Sequence, residues 1–259
     1  MLQIDEELIE HWNNTLADAK AEEIILWAYQ TFPGLIQTTA FGLTGLCIIS
    51  ILNQLNKDVP LVFIDTLYHF PQTYDLVKEV EDKYNIDVIV YKPKDVETES
   101  EFVKLYGDSL WETDQLKYDY LVKVEPLKRI YKELNVKAVF TGRRSTQGDS
   151  RSNLPIIEID KVSNVIKINP LSSWTFDDVK KYIDENNIPR NSLLDLGYKS
   201  VGDWHSTVPV ADGEDERSGR WKGQVKSECG IHVLHEYDHF EEKCDENENE
   251  NENENSETK

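Results

Sequence analysis

The chain has 259 residues, 39% of them hydrophobic, which is enough for one sizeable core. Against 28 Lys and Arg stand 49 Asp and Glu, a net charge of −21; so acidic a chain repels nucleic-acid backbones and anionic membrane surfaces, and neither is expected as a partner. No apolar run approaches the roughly 20 residues that span a bilayer, and the stretch Met1-Leu2-Gln3-Ile4-Asp5-Glu6-Glu7 carries acids where a targeting peptide carries Lys or Arg.

Residues 5–31 combine helix formers with helical apolar spacing (Leu16, Ile24, Ile25, Trp27, Ala28) and read as one or two helices. Leu35-Ile36-Gln37-Thr38-Thr39 reads as a strand, and residues 44–55 as a buried helix. Leu61-Val62-Phe63-Ile64 is a short apolar run ending at Asp65, the pattern of a strand covered on both faces. Pro71 opens a helix to about Tyr84, in the first-turn position that proline tolerates. A third strand is expected over 87–91, a long helical region over 114–134, further strands over 138–141 and 155–159, and a helix over 175–186.

Such alternation predicts an α/β fold: an open, mostly parallel twisted sheet flanked by helices. In such sheets ligands bind beyond the carboxyl ends of the strands, so chemistry is expected just after Thr39, Ile64 and Phe140. Residues 190–235 lose this periodicity and read as a long irregular segment. We expect one domain over 1–235, with N-terminal helices at 5–31 and an irregular C-terminal segment at 208–235. The acidic tail, 236–259, holds eleven acids and two lysines and is expected to be disordered from about residue 245.

The turn after the first strand, Thr38-Thr39-Ala40-Phe41-Gly42-Leu43-Thr44-Gly45, has small residues that let backbone N–H groups meet an anion at a helix start. It matches neither a Walker A loop nor G-x-G-x-x-G, and an ordinary strand–helix turn explains it equally well. Asp65-Thr66-Leu67-Tyr68-His69-Phe70 can contact a purine and its ribose, although an acidic turn at a helix start would look the same. Gly142-Arg143-Arg144 and Arg151 are more telling. Of seven arginines, five fall in two short stretches, Arg143, Arg144 and Arg151, then Arg217 and Arg220, with Lys222 and Lys226 close behind. Guanidinium forks suit phosphate, and clustering them in an acidic body points to a small polyanionic ligand ahead of a solvated charged face.

Three cysteines, Cys47, Cys229 and Cys244, are too few and too odd in number for a disulfide framework, which fits a reducing cytoplasm. Cys47 sits in an apolar helix and reads as core; Cys244 lies among carboxylates, which disfavour its thiolate. Cys229 has basic neighbours that favour a nucleophilic thiolate, opposed by Glu228. Cys229, His232, His235 and His239 also have spacings that zinc accepts, without a second cysteine pair in support.

Taken in order over 36–232, these segments resemble the phosphoadenylyl-sulfate (PAPS) reductase family. The resemblance is carried by Ala40-Phe41-Gly42, Ile64-Asp65-Thr66 with Phe70-Pro71, Lys123-Val124-Glu125-Pro126-Leu127, Gly142-Arg143-Arg144 with Ser150-Arg151, and Asn169-Pro170-Leu171. It continues through Gly197-Tyr198-Lys199-Ser200-Val201-Gly202-Asp203-Trp204-His205-Ser206-Thr207, Arg217-Ser218-Gly219-Arg220-Trp221 and Lys226-Ser227-Glu228-Cys229-Gly230-Ile231-His232. It implies an adenine nucleotide alpha hydrolase-like fold of the pyrophosphate-loop type, with Cys229 attacking the sulfonate sulfur of PAPS. Adenosine 3′,5′-bisphosphate then leaves, and thioredoxin or glutaredoxin releases sulfite from the S-sulfonate, in sulfate assimilation toward cysteine and methionine. The substrate-binding residues expected are Thr39, Ala40, Phe41, Gly42, Thr44, Asp65, Thr66, Phe70, Gly142, Arg143, Arg144, Arg151, Arg217, Arg220, Lys226 and His232.

The resemblance also implies a homodimer whose Cys-bearing tail closes over the nucleotide; because Cys229 lies far along the chain from the nucleotide loops, the segment from about Arg217 to His232 must fold over the site and is expected to stay mobile until a ligand or partner binds. Iron–sulfur members of the wider family carry two cysteine pairs; the matching positions here are Tyr118 and Asp119, then Asp203 and Ser206, so no cluster and no bound cofactor are expected. Two rivals are an AMP-forming ligase or pyrophosphatase of the same fold, whose Ser-Gly-Gly-x-Asp-Ser loop residues 39–44 do not match, and a non-catalytic adenine-nucleotide sensor, against which Glu-Cys-Gly-Ile-His stands.

Overall fold

The computed structural model describes residues 4–148, 151–211, 213–223, 226 and 228–237. Cys244, His239, Ser150 and the tail beyond Tyr237 lie outside them, so the expectation of a disordered tail does too.

Two helices, α1 (Glu6–Leu16) and α2 (Ala21–Thr31), lead into β1 (Leu35–Thr39), α3 (Leu43–Gln54), β2 (Leu61–Ile64), α4 (Pro71–Tyr84) and β3 (Val88–Tyr91). Next come three short helices, α5 (Glu99–Tyr106), α6 (Leu110–Thr113) and α7 (Gln115–Asp119), then a π-helical turn (Tyr120–Val124) and α8 (Glu125–Glu133). β4 (Ala138–Phe140), β5 (Ile157–Asp160), β6 (Val165–Ile168) and α9 (Phe176–Glu185) complete the regular elements. The strands form one sheet in the order β3-β2-β1-β4-β6-β5, parallel except for β5, which runs antiparallel to β6. This is the expected open, mostly parallel sheet.

Both faces of β2 and β4 are buried, because successive side chains point to opposite sides and all of them are apolar. Leu61, Phe63, Ala138 and Phe140 join a core with α2, α3, α4 and α9; Val62, Ile64 and Val139 join a second core with α8 and the π turn. Leu234, from the irregular C-terminal segment, and Tyr237, two residues past its expected end, are buried in that second core and fasten the segment's end to the body. Among the described residues no helix is long and apolar enough to cross a membrane.

The expected helix over 114–134 is broken by the π turn. Pro126 has no N–H to give to the carbonyl four residues back, and the chain widens instead, Glu125 N–H donating to the Tyr120 carbonyl. The widened turn carries Lys123, which lines the cavity at the carboxyl edge of the sheet. β6 was not expected; its Lys167 is buried on β6 and pairs with Asp160 of β5 at 2.5 Å, which lets a charged residue sit in a covered strand.

Strand order reverses between β1 and β4, the place where an open α/β sheet leaves a crevice. The turns after β1, β2 and β4 meet there.

Candidate active site

A cavity of about 230 Å³ opens at this crevice, lined by the turn 38–45, by Thr66 and by 141–144. The first turn is shaped by its own hydrogen bonds. Phe41 N–H donates to Thr39 Oγ1 at 2.8 Å while Phe41 takes a left-handed φ of 56°, and Gln37 Nε2 donates to the Gly45 carbonyl at 2.8 Å. A Cβ on Gly45 would lie 2.8 Å from Thr39 Oγ1, so only glycine allows this closeness. Gly42 caps α3 without any side-chain hydrogen bond, leaving the first N–H groups of a twelve-residue helix beside the cavity, an anion-binding arrangement.

The C-terminal segment forms the opposite wall. Val208 N–H donates to the Gly219 carbonyl and Trp221 N–H to the Ser206 carbonyl, both at 2.9 Å, folding 217–221 back along 206–208. That ladder delivers Arg217, Arg220 and Trp221 to the cavity, and Cys229, Ile231 and His232 follow. Cys229 is half-buried and lines the same cavity as the 38–45 turn, although it lies far along the chain from it.

Of the expected site residues, Thr39, Ala40, Phe41, Gly42, Thr44, Thr66, Gly142, Arg143, Arg144, Arg151, Arg217, Arg220, His232 and Cys229 line this cavity. Asp65, Phe70 and Lys226 do not. The Asp65 carboxylate accepts from Leu67 N–H (2.9 Å) and Tyr74 hydroxyl (2.8 Å), fixing the turn after β2. Phe70 packs edge-on against Tyr198, with ring centres 5.6 Å apart. Lys226 pairs with Asp119.

The arginines divide by their partners. Arg144 is buried, and its donors go to Thr44, Thr146, the Trp174 carbonyl and both oxygens of Glu216, so it ties the C-terminal segment to the body. Arg143 pairs with Glu158; burial and the neighbouring Arg151 push its pKa down to about 10. Arg217 and Arg220 stack on the Trp221 ring, 5.5 and 4.6 Å from its centre. Arg220 Nε is shut off from water and has no hydrogen-bond partner among the described residues. Burial, with Arg151 and Arg220 alongside, pushes Arg217 down to about 10 as well. Arg217 and Arg220 are half-buried, and Arg220 Nη1 donates to the Val201 carbonyl at 3.4 Å; two such cations side by side at the cavity suit an anion. His232 Nδ1 is likewise buried, with no partner among the described residues. Burial first, and then the surrounding arginines, hold its pKa well below the usual imidazole value, so it stands neutral.

The sequence reading assigned no site role to Lys123 or Asp203, yet both line the cavity. Lys123 Nζ donates to Asp203 (2.6 Å) and Asp119 (3.1 Å), and Asp203 also accepts from Thr66 Oγ1 at 2.7 Å. Although burial works against both charges, each holds the other ionised: Lys123 is raised above and Asp203 held well below its ordinary pKa. Cys47 is buried in the core, its thiol pushed up to about 12 by burial. Among the described residues no group of three His, Cys, Asp or Glu is placed to hold a metal ion, and His239 of the zinc reading lies outside them.

Residues 34–209 match the model of the phosphoadenosine phosphosulfate reductase domain family. The phosphoadenosine phosphosulfate reductase of Saccharomyces cerevisiae is 56% identical over 245 residues, covering 92% of this chain and 94% of that protein. The chain belongs to the phosphoadenosine phosphosulfate reductase family. A crystal structure of the phosphoadenylyl-sulfate reductase of Candida auris, a phosphate complex, superposes with a TM-score of 0.75 at 56% identity, covering 80% of this chain and 99% of that one. An adenosine 5′-phosphosulfate reductase of Bacillus anthracis is 36% identical over 214 residues, covering 82% of this chain and 93% of that protein.

For a reductase of this family the seat of Arg220 is a sensitive point. A Cβ on Gly202 would fall 2.2 Å from Arg220 Nη2 and 2.4 Å from Cζ. The displaced atoms are the end of a flexible side chain, so Gly202→Ala is expected to move the guanidinium and leave the fold standing. Nucleotide affinity should fall about tenfold or more, the scale of one charged hydrogen bond, with Tm within about 2 °C of wild type. Calorimetric titration with adenosine 3′,5′-bisphosphate and a thermal melt read the two effects separately.

Proposed function

We propose that the chain reduces PAPS to sulfite and adenosine 3′,5′-bisphosphate, with Cys229 as nucleophile. The observation that carries this reading is the meeting of Cys229 with Arg217, Arg220 and the α3 N-terminus around one cavity. The Cys229 thiolate attacks the sulfonate sulfur; an S–S bond forms and the S–O bond to the 5′-phosphate breaks. Negative charge gathers on the leaving phosphate, where preplaced cations and helix N–H groups lower the barrier. A reduced thioredoxin thiolate then attacks Cys229 Sγ, sulfite leaves, and the second thiol resolves the mixed disulfide. Two electrons pass from the dithiol to sulfur, so an external dithiol suits a cysteine whose neighbours offer no resolving thiol.

The four positions at which cluster-bearing members of the wider family carry cysteines do not fit iron here. Tyr118, Asp119, Asp203 and Ser206 offer no thiolate, and both carboxylates are committed to Lys123. This favours a cluster-free enzyme that uses the 3′-phosphorylated nucleotide, as do the names of the relatives above half identity. The catalytic unit in this reading is a single domain over 1–235, working as a cytoplasmic homodimer. Adenosine 3′,5′-bisphosphate is expected to bind at least about tenfold more tightly than AMP, one charge-assisted contact being worth about 1.5–3 kcal/mol. Equal affinities in a calorimetric comparison would remove the 3′-phosphate from the account.

A further inference from the structure

The chain leading into Cys229 is fixed by two ion pairs that reach two distant parts of the fold. Three residues before it, Lys226 pairs with Asp119 at the end of α7. Immediately before it, both carboxylate oxygens of Glu228 accept from Arg151, from Nε at 2.7 Å and Nη2 at 2.6 Å. Each anchor is itself built in. Asp119 is 1% exposed and is held from its other oxygen by Lys123 at 3.1 Å. Arg151 is 5% exposed and also donates Nη1 to Gln147.

Neither Lys226 nor Glu228 lines the cavity, whereas the cysteine beside them does. Of the four paired residues only Arg151 lines the cavity, so the two on the cysteine-bearing segment do not meet the ligand directly; they set where the sulfur stands. A bidentate guanidinium–carboxylate contact fixes direction as well as distance, and two anchors on separate elements remove the rotation that one would allow. The residue after the cysteine is also packed: a Cβ on Gly230 would sit 3.0 Å from the Tyr237 hydroxyl and 3.1 Å from Val124.

We propose that Lys226–Asp119 and Glu228–Arg151 are positioning pairs that aim Cys229 at the sulfonate in the first half-reaction and oppose the second. The inference rests on the reductase reading given above. Displacement at sulfur is in line, so the reductant's thiolate must reach Sγ from the side away from the departing sulfite. Cys229 lines the cavity and Lys226 and Glu228 do not, so the segment they hold borders that approach. Aiming and access thus make opposite demands on the same two contacts.

The test separates the half-reactions in Lys226→Met and Glu228→Gln, both changed on the cysteine-bearing segment. In single turnover without reductant, S-sulfonation of Cys229 should slow by about 10- to 100-fold in each, the scale of a small misplacement of a reacting atom. Affinity for adenosine 3′,5′-bisphosphate should stay within about twofold, against the tenfold that a lost charged contact would cost. Sulfite release by reduced thioredoxin from isolated S-sulfonated protein should be as fast as in wild type or faster. Lys226→Arg should restore the first step. Equal slowing of both half-reactions, unchanged S-sulfonation, or weakened nucleotide binding would each overturn the proposal. Failure of the wild-type chain to form any S-sulfonate would instead strike the reductase reading.

Discussion

Cys229→Ser is expected to lower sulfite production by at least about 10⁴-fold, as removal of a covalent nucleophile does. Two effects combine. A serine hydroxyl at neutral pH is a far weaker nucleophile than a thiolate beside cations. Even if the hydroxyl were sulfonated, the product would hold an O–S bond, and a dithiol releases sulfite by attacking sulfur across an S–S bond. The fold should survive, because Cys229 is only half-buried and the segment is held by Arg144–Glu216, Arg151–Glu228 and the buried Leu234 and Tyr237. Adenosine 3′,5′-bisphosphate should bind the variant as it binds wild type. A coupled sulfite assay beside a nucleotide titration measures both.

Arg220→Met is expected to separate stability from activity. The guanidinium lies over the Trp221 ring; Nη1 reaches the Val201 carbonyl at 3.4 Å, Nε has no acceptor among the described residues, and burial pushes its pKa down. Such a charge costs free energy until an anion arrives, so a flexible apolar side chain should raise stability without ligand by about 1 kcal/mol, or a few degrees in Tm. In the proposed reaction the same change removes a cation from the cavity that receives the leaving phosphate, and it should lower kcat by roughly 10²–10³-fold. It should also abolish most of the thermal stabilisation that adenosine 3′,5′-bisphosphate gives, since binding to the folded state alone raises Tm. A variant less stable than wild type without ligand would contradict the idea of a cation seated for an absent anion.

The architecture was legible because the central strands carry apolar residues on both faces. Runs such as Leu61-Val62-Phe63-Ile64 and Ala138-Val139-Phe140 announce a sheet covered by helices, and the rule that ligands bind beyond its carboxyl edge then located the turns that line the cavity. β6 escaped notice because Lys167 interrupts its apolar run, and only the fold supplies Asp160 to bury it. The π turn was hidden for a related reason. Helical periodicity survives across it, and the break comes from one missing N–H, at Pro126.

Clustered arginines were visible as a group, but their division of labour was not. Arg143 and Arg144 are neighbours in sequence, yet Arg144 spends its donors on Glu216, 72 residues away, and acts as a buttress. Lys226 read as a phosphate ligand and instead reaches Asp119, 107 residues distant. Lys123 and Asp203 were seen only as parts of motifs; what gives them a place at the site is their mutual contact across 80 residues of chain. Pairings of this kind depend on three-dimensional neighbours that no local spacing encodes. A useful signal was present all the same: charged residues inside otherwise apolar or aromatic stretches, such as Lys123 after Tyr120-Leu121-Val122, are costly to bury and need such partners.

The most direct test of the central claim is incubation of the purified chain with PAPS labelled on its sulfonate sulfur, without reductant, followed by peptide mapping. The account predicts stoichiometric label on Cys229 and its release as sulfite when reduced thioredoxin is added. Sulfite formation with no label on Cys229, or label on another residue, would contradict it.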